Sequence, residues 1–201
     1  MSRERGERIL LILDLDETLI HATEAPLERP ADFNVFDYHV YRRPYLTEFL
    51  VACMGSFELA VWSSASDDYV ELITREIFGA APLHFVWGRS RATLPRVIRS
   101  DDYLYWPTDH RHYVKPLAKA KKLGWPLERI LIVDDTPEKC VRNYGNAIYA
   151  HPFEGDPADD ELRLLAAYLE TLKDCSNVRA VEKRRWRAAA RELLGLTPPQ
   201  S

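Results

Sequence analysis

Three apolar runs that each end in acidic or small polar residues constrain this chain more than any other feature. They are ILLILDLD (9–16), ELAVWSS (58–64) and RILIVDD (129–135). An unbroken apolar run of this length is the pattern of a strand buried on both faces, as in a parallel sheet. AIYAHP (147–152) is a weaker fourth. Between the runs lie helical patterns: PYLTEFLVACMG (44–55) and SDDYVELITREIFG (66–79) each open on Pro or Ser and close on Gly, and KPLAKAKKLG (115–124) and TPEKCVRNYG (136–145) repeat that grammar. Helices crossing between parallel strands define an α/β doubly wound sheet. Ligands of such a sheet bind beyond the carboxyl ends of its strands. Asp14, Asp16, Ser63, Ser64, Asp134 and Asp135 all fall there.

Two segments interrupt the alternation. Residues 21–43 carry FNVFDYHVYRR, aromatic and β-branched, which predicts a small hairpin over one edge of the cleft. Residues 84–114, from HFVWGR to the aromatic and basic YLYWPTDHRHY, lack a helical period and are read as an insertion beside the site. The stretch VRAVEKRRWRAAARELLGL (178–196) is an amphipathic helix by pattern, its basic cluster read as a solvated face.

Composition narrows the classes. A net charge of -4 over 201 residues gives no basic field to draw the whole protein to nucleic acid or anionic lipid. Cys53, Cys140 and Cys175 form no CxxC pair, which argues against a disulfide framework and a cysteine zinc site and favours a reducing compartment. Arg3, Arg5 and Arg8 precede an apolar run, but Asp14 ends it too early for a signal peptide, and no run approaches the roughly 20 apolar residues of a membrane span. The expectation is a soluble cytoplasmic protein. The histidines show no HExxH-like spacing and are read as packing or surface residues.

Carboxylates one residue apart at a buried strand end are costly to desolvate, and a bound cation is the first compensation to consider. If Asp14 and Asp16 meet Asp135 across adjacent strands, three acidic groups surround one point. Oxygen-only ligands of that kind suit Mg²⁺, which also accepts phosphate oxygens. Lys115, ahead of a helix, and Ser63, beside a helix N-terminus, add positive charge and donors for a phosphoryl group. The residues therefore suggest phosphoryl transfer to a carboxylate.

The ordered motifs DLDETL (14–19), VYRRPYLTEFL (40–50), VWSSAS (61–66), YVKPL (113–117) and ILIVDDTP (130–137) resemble those of the haloacid dehalogenase superfamily. The likeness lies with its branch of C-terminal-domain phosphatases and NLI-interacting-factor relatives, and it spans roughly residues 9–175. It implies a Rossmann-like phosphatase domain over 1–175, with residues 176–201 as a C-terminal helix and tail. By position it makes Asp14 the nucleophile that becomes an aspartyl-phosphate. Asp16 becomes the acid that protonates the leaving oxygen and then the base that activates water. Thr18 would fix the loop, Ser63 would hydrogen-bond the phosphoryl oxygens, and Lys115 would balance charge on Asp14 and the phosphate. Asp135, Asp14 and the backbone carbonyl of Asp16 would ligate Mg²⁺, with Asp134 orienting them from behind. Thr18, Ser64 and Arg89 are the substrate-contact candidates. The expected acid role also predicts that nearby negative charge raises the pKa of Asp16.

The chain departs from the family in two places. Asp134-Asp135 stands where Asp-Asn is frequent, and residues 84–112 match the relatives' insertion poorly beyond Arg89. With little chain for a lid, the cleft is expected to be open, edged by Trp87, Arg89, Arg91, Tyr103, Tyr105 and Trp106. Such a cleft suits a phosphoserine or phosphothreonine on a protein better than an enclosed metabolite. The alternatives are a phosphatase for a small ester or a polynucleotide end, gripped by Arg89, Arg91, Arg96 and Arg99, and a non-catalytic phosphoprotein-binding module.

Overall fold

The computed structural model describes residues 8–94, 113–143 and 145–196. Five parallel strands form the central sheet: β1 (Leu10–Leu13), β5 (Glu58–Trp62), β6 (Leu83–Trp87), β7 (Ile130–Asp134) and β8 (Ala147–Tyr149). Their order is β6-β5-β1-β7-β8, which puts β1 at the centre with β5 and β7 on either side. The continuous apolar runs follow from this placement. Along β1, Ile9, Leu11 and Leu13 face one core while Leu10 and Ile12 face another, and neither set can be polar.

One face is covered by α1 (Leu46–Ser56), α2 (Asp67–Phe78), α4 (Glu161–Glu170) and α5 (Trp186–Leu193). The opposite face is covered by α3 (Ala118–Lys121) with Leu117 and Trp125. The expected doubly wound α/β architecture is therefore present, with its helices unevenly shared. The predicted hairpin is part of a three-stranded antiparallel sheet, in which β4 (Tyr38–Arg42) pairs with both β2 (Ile20–Thr23) and β3 (Phe33–Val35).

Several elements differ from the sequence reading. The segment starting at 84 is not all insertion, because β6 continues the parallel sheet as its outer strand. With a neighbour on one side only, β6 mixes buried Phe85 with exposed Val86 and lacks the apolar run that marks the inner strands. The helix read over 115–124 shrinks to α3, because Val114 is held extended against Thr93 and the backbone N–H of Lys115 donates to Lys139. Likewise the described residues of 136–145 hold only a 3-10 turn, Pro137–Cys140; beyond it the Asn143 side chain bonds the backbone of Leu117 and Lys115. The C-terminal stretch is a short turn at Val178–Ala180 followed by α5, and α5 buries Trp186 and Ala190 in the main core. α4 was not anticipated. The expected contacts from residues 95–112, Tyr103, Tyr105, Trp106, Arg96 and Arg99 among them, lie outside the described residues.

Candidate active site

β1 delivers its last backbone bond from the Asp14 N–H to the carbonyl of Val133, and the chain then reverses in a tight loop. The carbonyl of Leu15 accepts from Thr18, Leu19 and Ile20, and Glu17 adopts a left-handed conformation with φ of 57°. Arg43, fully buried, clamps the loop from outside. Its guanidinium donates to the carbonyls of Glu17 and Thr18 and forms a bidentate pair with Asp159. The loop and the tips of β5 and β7 thus bring together residues from four motifs.

Asp14 is completely buried and faces cations. Lys115 Nζ lies 2.9 Å from its Oδ2, and Lys139 Nζ lies 3.0 Å from the same atom. Lys115 also reaches Asp134 Oδ2 at 2.7 Å; Asp14, Lys115 and Asp134 are shut off from solvent, and Lys139 is partly open. Burial alone would raise the Asp14 pKa, but the ammoniums of Lys115 and Lys139 overcome it and hold the group low, as a carboxylate. Asp134, pressed against that charge and buried, is shifted upward.

Asp16 turns the other way. Its carboxylate accepts from the Tyr69 hydroxyl at 2.6 Å and from Ser63 Oγ at 3.3 Å. Its pKa is raised, chiefly by burial, with the charge of Asp14 adding to it; the hydrogen bonds from Tyr69 and Ser63 and the charge of Lys139 pull in the opposite sense. The upward direction agrees with the sequence expectation, and the principal cause is desolvation rather than the neighbouring charge. Glu17, next in the loop, is pushed up to about 8 by burial and by the charges of Asp16 and Asp135.

Oxygen atoms of Asp14, Asp134 and Asp135 lie within 4.8 Å of one another. This all-oxygen donor set, with Lys139 Nζ already drawn to all three carboxylates, fits a hard divalent cation such as Mg²⁺. Asp134 belongs to this cluster as well as supporting Lys115. The carboxylate of Asp16 is not among its oxygens, so any contribution of residue 16 falls to the backbone carbonyl, as the resemblance implies.

The remaining candidates divide. Ser63 Oγ donates to Asp16 and accepts from the N–H of Ala65 at the entry to α2. Ser64 Oγ is buried without a hydrogen-bond partner. Thr18 is fully buried and its hydroxyl also has no partner. As a substrate contact Thr18 is therefore corrected: it faces the interior, while its backbone N–H donates to Leu15 and its carbonyl accepts from Arg43 within the loop. Arg89 lies in a turn after β6, donates to the carbonyl of Ser64 and stacks over Tyr113. A Cβ at Gly88 would come within 2.8 Å of the Asp67 backbone, so only glycine lets this turn close onto α2. Trp87 packs on Phe85 and Trp62 and serves the second core.

Arg43, Tyr69 and Lys139 were missed. Lys139 follows Asp135 by four residues, the spacing of an ion pair on a helix, and that was the available signal. Tyr69 lies one turn into α2, and Arg43 sits within the quoted YRRPYL, so each was in view without a partner to give it meaning.

With this geometry in hand, the protein can be placed. The pattern of the NLI interacting factor-like phosphatase family matches residues 9–179, and the chain belongs to that family. It is 30% identical over 185 residues to human carboxy-terminal domain RNA polymerase II polypeptide A small phosphatase 1, covering 88% of this chain and 64% of the relative. To CTD small phosphatase-like protein 2 of Dictyostelium discoideum it is 29% identical over 179 residues, covering 86% of this chain and 29% of the relative. It therefore spans less than two thirds of the length of these curated relatives. Its fold is similar to that of Fcp1, an essential RNA polymerase II CTD phosphatase, with a TM-score of 0.55, 17% identity, and coverage of 92% of this chain and 62% of the other.

Proposed function

We propose that this chain is a Mg²⁺-dependent phosphatase that hydrolyses phosphoserine or phosphothreonine in a protein through an aspartyl-phosphate on Asp14. The observation that carries the reading is the opposite treatment of two neighbouring carboxylates. Asp14 is held ionised between two ammoniums, while Asp16 is shifted towards its protonated form.

In the first half-reaction an Asp14 oxygen attacks phosphorus and the bond to the ester oxygen breaks. Asp16 gives its proton to that oxygen, and the alcohol leaves. In the second, Asp16 takes a proton from water as the water oxygen attacks phosphorus and the bond to Asp14 breaks, releasing phosphate and restoring the Asp14 carboxylate and the protonated Asp16. Splitting the displacement in two replaces one difficult step with two easier ones. Lys115 offsets the charge on Asp14 throughout. Ser63, which donates to Asp16 and accepts from the Ala65 N–H, would orient the acid and offer its hydroxyl to a phosphoryl oxygen. Asp14, Asp134, Asp135 and the carbonyl of Asp16 would hold the divalent ion, which supplies Lewis-acid stabilisation of the phosphoryl charge.

Preference for a protein substrate is supported by the rim. Tyr38 of the hairpin packs edge-on against Tyr69, the hydroxyl partner of Asp16, and Phe36 at the turn beside it is 62% exposed. Apolar rings next to the acid suit residues flanking a phosphorylated side chain. The human relative is named for the RNA polymerase II carboxy-terminal domain, a protein substrate class.

The test supplies purified protein and Mg²⁺ with phosphopeptides, sugar phosphates and 5′-phosphorylated oligonucleotides, followed by acid quench and peptide mapping. The expected result is turnover of phosphopeptides, a phosphoryl group trapped on the Asp14 peptide, and a loss of at least about 10³-fold in Asp14→Asn. Undiminished turnover by Asp14→Asn would refute the nucleophile. Preference for oligonucleotides would redirect the substrate class.

A further inference from the structure

Lys139 takes no part in the two half-reactions, yet its ammonium lies against all three carboxylates of the acidic cluster. Nζ stands 3.0 Å from Asp14 Oδ2, 3.3 Å from Asp135 Oδ1 and 3.7 Å from Asp134 Oδ1. These are the same three residues whose oxygens converge within 4.8 Å. A magnesium ion sits about 2.1 Å from its ligand oxygens, so an ion among these carboxylates and an ammonium in its present position would be nearly in contact. Two like-charged groups cannot share that point.

The charges favour exchange over coexistence. Taken as ionised, Asp14, Asp134 and Asp135 against Lys115 and Lys139 leave one net negative charge. Replacing the Lys139 ammonium with a divalent ion brings the group to neutrality, whereas adding the ion beside the ammonium overshoots. Lys139 is also built to leave. Its side chain is 16% exposed where Lys115 is sealed, and it projects on a flexible four-carbon stem from the Pro137–Cys140 turn. Its backbone is fixed independently, donating to Thr136 and accepting from Lys115, so the ammonium can swing to solvent without moving the turn.

We propose that Lys139 is a built-in competitor for the divalent ion: it fills the cation position in the metal-free protein, vacates it on loading, and so sets a weakened metal affinity. This rests on the divalent-ion reading of the site. The arrangement has two consequences. The carboxylates stay paired and the strand tips stay folded without metal. Occupancy then responds to the Mg²⁺ concentration instead of being saturated at all times, because the binding energy must first displace a bound cation.

The test titrates MgCl₂ into metal-free wild type, Lys139→Met and Lys139→Ser by calorimetry, and follows thermal unfolding in EDTA and in Mg²⁺. Both variants are expected to bind Mg²⁺ at least tenfold more tightly than wild type. They should also unfold at lower temperature in EDTA and recover that difference as Mg²⁺ is added. In unmutated protein the ¹⁵N resonance of the Lys139 ammonium should shift on saturation, a readout that survives if either variant fails to fold. Equal or weaker Mg²⁺ affinity in the variants, or an ammonium signal unmoved at saturation, overturns the competition and leaves the phosphatase reading standing. Failure of all three proteins to bind Mg²⁺ overturns the divalent-ion reading and this inference together.

Discussion

Asp14 and Asp16 are separated by one residue, the first fully buried and the second partly so, and their surroundings differ in charge. The pocket around Asp14 is built from ammoniums contributed by two distant segments, Lys115 and Lys139, whose backbones are joined by a hydrogen bond. Among the described residues the side chains that donate to the Asp16 carboxylate are neutral, a phenol and a serine hydroxyl, and the charge of Lys139 acts on it without a hydrogen bond. Burial costs each carboxylate much the same in kind, and the partners decide the outcome. The first is held ionised, as the proposed nucleophile requires; the second is shifted towards a bound proton, as the proposed acid requires. Asp14 directly follows β1 and Asp16 lies in the tight loop after it, where strand alternation, which would put i and i+2 on one face, no longer applies; the division of labour comes from what the rest of the chain brings to each.

The contrast can be broken from either side. The largest expected effect is on the Asp16 side. Asp16→Asn should lower kcat on a phosphoserine peptide by about 10²- to 10⁴-fold, the usual worth of a positioned acid/base. The burst of the first half-reaction with p-nitrophenyl phosphate should fall far less, since that leaving group needs no proton. Equal losses in both assays would remove the acid role. On the Asp14 side, Lys115→Met leaves Asp14 and Asp134 with a single shared ammonium. Breaking a buried pair this way costs about 3–5 kcal/mol, which urea unfolding in EDTA would read directly. Stability within about 1 kcal/mol of wild type would mean that Lys115 is not what makes the buried carboxylates tolerable.

A smaller change sharpens the comparison without destroying either pocket. The Tyr69 hydroxyl stabilises the ionised form of Asp16, so its removal should raise the Asp16 pKa further. The sign follows through to rate: activity that depends on protonated Asp16 is lost as pH rises through that pKa, and in Tyr69→Phe the alkaline limb of kcat should move to higher pH. A limb that stays put, or moves down, would show that Tyr69 does not tune the acid.

The sheet was legible because burial on both faces leaves a strand no polar positions until its end. That is why Leu10–Leu13, Glu58–Trp62 and Ile130–Asp134 could be read, and why their tips located Asp14, Ser63 and Asp135. β6, with a partner on one side only, carries no such signal. α4 lies in a stretch between Asp160 and Thr171 whose apolar face is clear only once the α1 surface it packs against is known. Within the site, Lys115 was visible through its motif. Lys139 and Tyr69 were not, because their meaning lies in partners 125 and 53 residues away in the chain. Arg43 escaped for the same reason, its carboxylate partner being Asp159 across the fold.

The most direct measurement is a carbon-13 NMR titration of the aspartate carboxyls in metal-free protein, with Asp14→Asn and Asp16→Asn used for assignment. Asp14 is expected to remain ionised below the ordinary carboxylate range while Asp16 takes up its proton above it. Two carboxyls titrating together, or in the reverse order, would contradict it.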